Sequence, residues 1–456
     1  MRVAGGRVRS ATRGTLSRRC GVALLLTVVP LGATAAQDTS AIDRGVRIGI
    51  VYRPGVRPGF VALPAAAELD SIRTILARDL DFSDRFEMIT LPGSDTARAP
   101  TTALNYPLYQ ALGADFAMSV SRRGDTTLVT VHDVPAGAVR RSLAARVPDA
   151  RHPDFRQSVH RLADQVLQAT VGALGTAATR VLFVRDGRVY LVDQDGADVR
   201  RVSSGDRQAM SPAWAPGGRQ FAYMEFWDGK GQLFLHDMAT GQRRDIAVTG
   251  RTLDFTPAFS PDGKTLAFSR AIEEGTDIYT FNLRDDCCLQ RLTVGRFSDN
   301  LSPTYSPDGQ RIAFVSTRSG LAQIYLMAAD GTDQDLFAPF DYGVTGSSNA
   351  PEWSPDGRTV AFHRDIAGTL QVFVLDVRTR TVRQLTSVGR NQDPTWAPDS
   401  RHLAFVSDRA GYRQLWIIDI ETGRIRPLLS QGGARLPAWS PQLPEHAIFT
   451  SQPGER

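Results

Sequence analysis

The chain has 456 residues, 42% hydrophobic and 22% charged, a balance that excludes wholesale disorder and gives length for two or three domains. Its net charge of +5 would suggest a polyanion binder, but Arg2, Arg7, Arg9, Arg13, Arg18 and Arg19 all precede the first acidic residue. Setting those six arginines aside leaves the rest at about −1, so no basic domain remains and no nucleic-acid partner is expected.

The arginines lead into "GVALLLTVVPLGATAAQ", an apolar run too short for the ~20 residues that span a bilayer. A charged start, a short apolar stretch and small residues at Ala33-Thr34-Ala35 predict a signal peptide over residues 1–35, cleaved near Ala35 or Ala36. Cys20 precedes the apolar run, whereas a lipid-attachment cysteine would follow it. No later run has spanning length, so direct membrane insertion is not expected. The remaining cysteines, Cys287 and Cys288, are adjacent, which leaves a vicinal disulfide and two plain thiols both open.

Residues 36–177 read as a small α/β domain. "VRIGIVY" (46–52) predicts a strand, and Leu69, Ile72, Leu76 and Leu80 share one face of a helix. "FEMITL" (86–91) reads as strand and "TALNYPLYQALG" as a short helix ended by Gly113. Three consecutive strands follow in "DFAMSVSRR", "TTLVTVHDV" and "RRSLAARV". A long closing helix, capped by Asp154, carries Val159, Leu162, Ala163, Val166, Leu167 and Val171 on its apolar stripe. No GxGxxG or GxxxxGK[ST] is present, so no phosphate-cradling cofactor site is expected.

Residues 178–456 change character, because one phrase recurs: "PAWAPGG", "PAFSPDG", "PTYSPDG", "PEWSPDG", "PTWAPDS" and "PAWSPQL". Its prolines, 212, 257, 303, 351, 394 and 437, lie 45, 46, 48, 43 and 43 residues apart, a period of one supersecondary unit per repeat. After each phrase come short strands such as "LAF" (266–268), "VFVLD" and "VRQLT", giving four strands per unit, the content of a β-propeller blade. Proline is expected to end the innermost strand, the aromatic (Trp214, Phe259, Tyr305, Trp353, Trp396, Trp439) to fill the gap between blades, and P-D-G to turn the chain. Asp262, Asp308 and Asp356 are thus read as turn residues. "RVLFVRDGRVYLVDQDGADVRRVS" (180–203) supplies three strands without the phrase, and "LPAWSPQ" supplies the phrase with little after it. Joined, they make a sixth blade closed by both ends of the domain.

An arginine-rich exported start, a small α/β domain and six such blades resemble the TolB family, periplasmic propeller proteins of the Tol–Pal envelope system. "ALGADFAMSV" and "ADQVLQATVGALGTAATRVLFV" sit where that family ends its first domain and enters its propeller. The resemblance implies a non-enzymatic monomeric adaptor in the periplasm without cofactor or metal, supporting outer-membrane integrity and cell division. It implies a propeller mouth that binds the peptidoglycan-associated lipoprotein Pal through loops holding Leu253, Thr256, Leu301, Ser302, Asn349, Asn391 and Gln392. It also implies that the mature N-terminal segment, with Gln37, Asp38 and Asp43, contacts TolA.

Other functions are weighed on motifs. A propeller hydrolase needs G-x-S-x-G, and the nearest pentapeptide, "GSSNA" (346–350), lacks the second glycine. The seven histidines show no HExxH spacing for a metal. "DQDGAD", with Asp193, Asp195 and Asp198, reads as a hairpin turn more readily than as a calcium loop. A propeller that binds a cell-wall glycan or small ligand remains as the alternative.

Overall fold

The computed structural model describes residues 57–91, 104–203, 207–246, 252–338 and 346–444, all within one compact unit covering residues 52–456. The expected signal peptide, the strand at 46–52 and the TolA-contacting segment with Gln37, Asp38 and Asp43 lie outside these residues.

The N-terminal region is built on a five-stranded sheet. Strand β1 (Gly59–Ala62) lies parallel to β2 (Glu87–Met88) and to β3 (Phe116–Arg123), and β4 (Thr126–Asp133) and β5 (Ala138–Ala145) continue antiparallel. Helices α1 (Asp70–Phe82) and α3 (Phe155–Val171) pack on one face, where Ile72, Leu76, Leu80, Val159, Leu162 and Val166 meet Phe60, Phe86 and Phe116. Helix α2 (Tyr106–Ala111) falls between α1 and α3 in the chain, and Tyr109 packs against Val61, Leu63 and Ala117 in a second cluster. Sequence reading missed β1, a four-residue "GFVA" held between Pro58 and Pro64. Its Gly59 is obligatory, because an added Cβ would sit 2.2 Å from the Gly113 carbonyl oxygen. Asp154 does occupy the position before α3, but its side chain makes no capping bond; its carbonyl accepts the N–H and hydroxyl of Ser158 instead.

From Arg180 the chain winds into six four-stranded antiparallel sheets. The inner strands are Gln208–Trp214, Asp254–Phe259, Asn300–Tyr305, Ser348–Trp353, Asn391–Trp396 and Arg435–Trp439, heading blades 1 to 6 in that order. The sixth sheet joins Arg435–Trp439 to β6 (Arg180–Arg185), β7 (Arg188–Asp193) and β8 (Arg200–Arg201), as the two incomplete end units required. Ser440 holds the seam through its N–H to the Arg180 carbonyl (2.8 Å) and its hydroxyl from the Arg180 N–H (3.0 Å). The aromatics of the repeat cross between blades as expected. Trp214 Nε1 donates to the Ala438 carbonyl of blade 6 and Trp396 Nε1 to the Glu352 carbonyl of blade 4, while Trp439 Nε1 bonds Thr179 Oγ1 just ahead of β6 in its own blade.

The proline works differently from expectation. It does not end the inner strand but lies within it, at a register shift present in every blade. The residue before it is left-handed each time: Ser211, Thr256, Ser302, Ala350, Asp393 and Leu436 have φ of 48–52°. A bulge leaves one N–H without a ladder partner, and that is the place where a residue without an N–H costs nothing. The P-D-G turns match the reading. Asp262, Asp308 and Asp356 each accept a 2.6 Å bond from the serine two residues earlier, and that bond, with a backbone N–H, holds Asp262 and Asp308 below the usual carboxylate range. On the outer strand of blade 2, Cys287 and Cys288 are disulfide-bonded.

Candidate functional site

Antiparallel order fixes which residues share a mouth of the ring. In each blade the start of the inner strand and the turn between strands two and three lie at one end, here the upper mouth. The turns between strands one and two, and three and four, lie at the lower mouth.

The lower mouth carries the N-terminal region. Asp84, in the turn after α1, accepts from His402 Nε2 (3.2 Å) and Arg424 Nη1 (2.9 Å), and its carbonyl from Arg401 (3.1 Å). Asp81 takes Arg424 Nη2 at 2.8 Å, and Arg426 lies 4.0 Å over the Phe82 ring. In blade 6, Asp195 is gripped by Arg78 of α1 and Arg156 of α3, while Asp193 receives Gln157 (3.0 Å) and Arg180 (2.9 Å). The "DQDGAD" turn is therefore an anchor for the N-terminal region. Two groups here, Asp79–His160–Asp195 and Asp84–His402–Asp419, have donor atoms close enough to share a cation. Arginines already pair with Asp195, Asp84 and Asp419, and Asp79 pairs with His160, so the arrangement is that of buried ion pairs.

The upper mouth carries the positions implied by the resemblance, and the structure sets them deeper than loops. Thr256, Leu301, Ser302, Asn349, Asn391 and Gln392 lie inside inner strands; only Leu253 precedes one. Thr256 and Ser302 form the left-handed corners, both tied to Ser269 (2.6 Å and 3.1 Å). Leu301 is half-buried against the core shared by blades 3 and 4, so its apolar character is accounted for by packing. Leu253 is half-buried where blade 2 bridges to Gly231 of blade 1. Asn349 and Gln392 are half-buried, Gln392 bonding Asp393 at 3.0 Å. Asn391 is fully buried, donating to Gln371 (2.8 Å) and accepting from Arg409 (3.0 Å).

The surface of this mouth is made by residues that sequence reading did not single out. Val294 and Phe297, in the connection entering blade 3, are 73% and 89% exposed. Phe297 is left-handed (φ 58°), fixed by its N–H to the Glu274 carbonyl at 2.9 Å. Val388, entering blade 5, and Leu321 and Tyr412, in turns of blades 3 and 5, are also exposed. Beneath them arginines stack on paired aromatics at the same end: Arg270 on Phe268 and Tyr279, Arg318 on Phe314 and Tyr325, Arg364 on Phe362 and Phe373, Arg409 on Phe405 and Trp416. Arg270 also pairs with Asp254 (2.7 and 2.8 Å), pinning an inner strand where it enters the ring. The mouth is thus a stiff frame with apolar side chains displayed on top.

Such a ring, closed by both its ends and holding a mixed α/β region on one mouth, is a six-bladed β-propeller that presents its other mouth outward. The family model described as the TolB beta propeller domain matches residues 168–339 and 342–455, and the chain belongs to that family. It is 32% identical over 236 residues to the Tol-Pal system protein TolB of Methylococcus capsulatus, covering 49% of this chain and 53% of that protein. It is 31% identical over 187 residues to the same-named protein of Albidiferax ferrireducens, covering 39% of this chain and 42% of that protein. The chain thus spans about half the length of these curated relatives. The crystal structure of TolB from Acinetobacter baumannii superposes with a TM-score of 0.72 at 24% identity, over 85% of this chain and 98% of that one, a likeness of fold.

Proposed function

We propose that the protein is a non-enzymatic adaptor of the Tol–Pal system, exported to the periplasm, that docks the lipoprotein Pal on its upper mouth and reaches TolA through its mature N-terminal segment. The observation that carries the reading is the placement of exposed apolar side chains. Val294, Phe297, Leu321, Val388 and Tyr412 all stand on the mouth away from the N-terminal region. The other large apolar residues exposed on the propeller, among those described, are Val199 at a lower turn and Leu289 and Leu336 on outer strands. Aromatic anchors on a preorganised frame bind with little ordering cost. Thr256, Ser302, Asn349 and Gln392 would line the throat below, and Leu253 and Leu301 would stiffen it. Calorimetric titration of the mature protein with purified Pal from the same organism tests this. Phe297→Asp should weaken binding by at least about 30-fold, the loss of one hot-spot side chain, while its melting temperature stays within about 1 °C of wild type, as for exposed positions. Equal affinity in Phe297→Asp, Leu321→Asp and Val388→Asp would move the interface off this mouth, and no Pal binding by the wild type would end the adaptor reading.

A further inference from the structure

We infer that docking of the N-terminal region on the propeller is proton-linked, with His402 and His160 as buried cationic clasps that let go as pH rises. His402 is 1% exposed, and each of its ring nitrogens faces a carboxylate: Nδ1 lies 2.6 Å from Asp399 Oδ2 in blade 5, and Nε2 lies 3.2 Å from Asp84 Oδ2 of the N-terminal region. Ionised carboxylates only accept, so both nitrogens carry hydrogen and the ring is an imidazolium bridging the two parts of the molecule. His160, fully buried in α3, is a looser counterpart whose hydrogen bond stays within the N-terminal region and whose other ring nitrogen meets the propeller only at ion-pair distance. Its Nδ1 is 2.6 Å from Asp79 of α1, and its Nε2 faces Asp195 (3.8 Å) and Asp193 (3.9 Å) of blade 6.

The surrounding charges keep these protons. Around His402 stand Asp84, Asp81 and Arg85 from the end of α1, and Asp399, Arg401, Asp419, Glu421 and Arg424 from blade 5. Around His160 stand Arg78 and Asp79 of α1, Arg156 and Asp164 of α3, and Arg180, Asp193 and Asp195 of blade 6. Burial alone would lower His402, but Asp399 first and then Asp84 override it and raise it from 6.5 to about 9. His160 is raised likewise, by Asp79 and then Asp195 against its burial. Burial raises Asp164 to about 7, where its carboxyl takes the N–H groups of Ala177 and Ala178 on the chain entering the propeller. A raised histidine stabilises the docked state fully below the value of the undocked group and loses that contribution as pH climbs through the docked value. Docking is therefore strongest while His402 is protonated and weakens as pH climbs toward about 9, by the part of the shift that Asp84 supplies, since Asp399 stays beside His402 in blade 5. Ionisation of Asp164 above about 7 pushes the same way. Arg426, lowered by burial to about 10, joins only beyond that window.

Small-angle scattering of the mature protein from pH 6 to pH 10, with near-UV circular dichroism alongside, reads the two parts separately. All six tryptophans lie between residues 214 and 439, so the near-UV signal reports the propeller. The expected result is a reversible rise in radius of gyration above about pH 8, over the window of the raised histidine, with the tryptophan signal unchanged. His402→Asn should be expanded already at pH 7. If that variant loses its tryptophan signal, Asp84→Asn replaces it, since it removes the partner carboxylate from outside the ring; it should shift the midpoint at least about one pH unit lower. A constant radius from pH 6 to pH 10 in the wild type, an unmoved midpoint in Asp84→Asn, or a tryptophan change that tracks the expansion would overturn the inference. None of these readouts involves Pal, so the adaptor reading stands or falls independently.

Discussion

Replacing Trp439 by alanine tests whether one short strand holds the ring shut. The side chain is 5% exposed and packs with Val181, Phe183, Ala397 and Ala404, residues of β6 and of blade 5. Truncating a buried tryptophan removes about 3–5 kcal/mol through lost transfer energy and the cavity left behind. Its Nε1–H to Thr179 Oγ1 (2.8 Å) adds about 1 kcal/mol. Thr179 would not be orphaned, because its hydroxyl also bonds the Thr176 carbonyl at 2.5 Å, so no further desolvation cost follows. The total, about 4–6 kcal/mol, is a large share of the roughly 5–15 kcal/mol that holds a domain folded. At about 1–2 °C per kcal/mol, from an unfolding entropy of about 2.1 cal/mol/K per residue over a unit of this size, the melting temperature should fall by about 5–10 °C. Scanning calorimetry at two scan rates measures it. Trp439→Phe, which keeps most of the apolar volume, should recover more than half of the loss. A fall of less than about 1 °C in Trp439→Ala, equivalent to a surface change, would mean that closure does not depend on this strand.

Two further outcomes follow from individual side chains. Glu352, whose Oε1 takes Thr395 Oγ1 and the Trp396 N–H (both 3.0 Å), is raised by burial from 4.5 to about 7. Its neutral form favours the fold, so this contribution is complete below pH 4.5 and lost as pH rises through about 7; Glu352→Gln should flatten the dependence of melting temperature on pH across that interval and melt higher than wild type at pH 8. Ala350 is left-handed (φ 50°) with no side-chain bond to offset the strain. Ala350→Gly should therefore be neutral to stabilising by up to about 1 kcal/mol in equilibrium urea unfolding, the reverse of the usual effect of glycine in a strand.

The blades were legible because their determinants are local and repeated. A phrase of Pro, aromatic, Ser and Asp appears in register with the chain's own period, and the incomplete units at 180–203 and 436–442 declared the closure. What stayed hidden depends on side chains or neighbours without a pattern. The left-handed corner is occupied by Ser, Thr, Ser, Ala, Asp and Leu in turn, a set sharing no chemistry, since the following proline and the ring geometry impose it. β1 escaped notice because four residues are too few for a period, and its place between β2 and β3 is set by tertiary packing. Phe297 reads in sequence as one more apolar residue; only the fold shows that nothing described covers it. The charged junction was equally invisible, because "DQDGAD" and the end of α1 look like an ordinary turn and an ordinary helix terminus until they meet.

The seam between Arg180 and Ser440 joins residues 260 positions apart, and this imposes an order on biogenesis. Blades 1 to 5 can each assemble from a contiguous stretch as it emerges, each stacking on its predecessor. The first-made strands, β6 to β8, must wait with one edge of β6 unpaired until Arg435–Trp439 arrives. An unpaired edge is a template for another chain, so the interval before closure is the time at which the nascent protein is exposed to mispairing with its own copies. Ribosomal stalling or tail proteolysis that removes only the last strand would yield a nearly full-length chain that is prone to aggregate. A chaperone that shields β6 until Arg435–Trp439 arrives is therefore expected to limit that mispairing more than one acting on any complete blade.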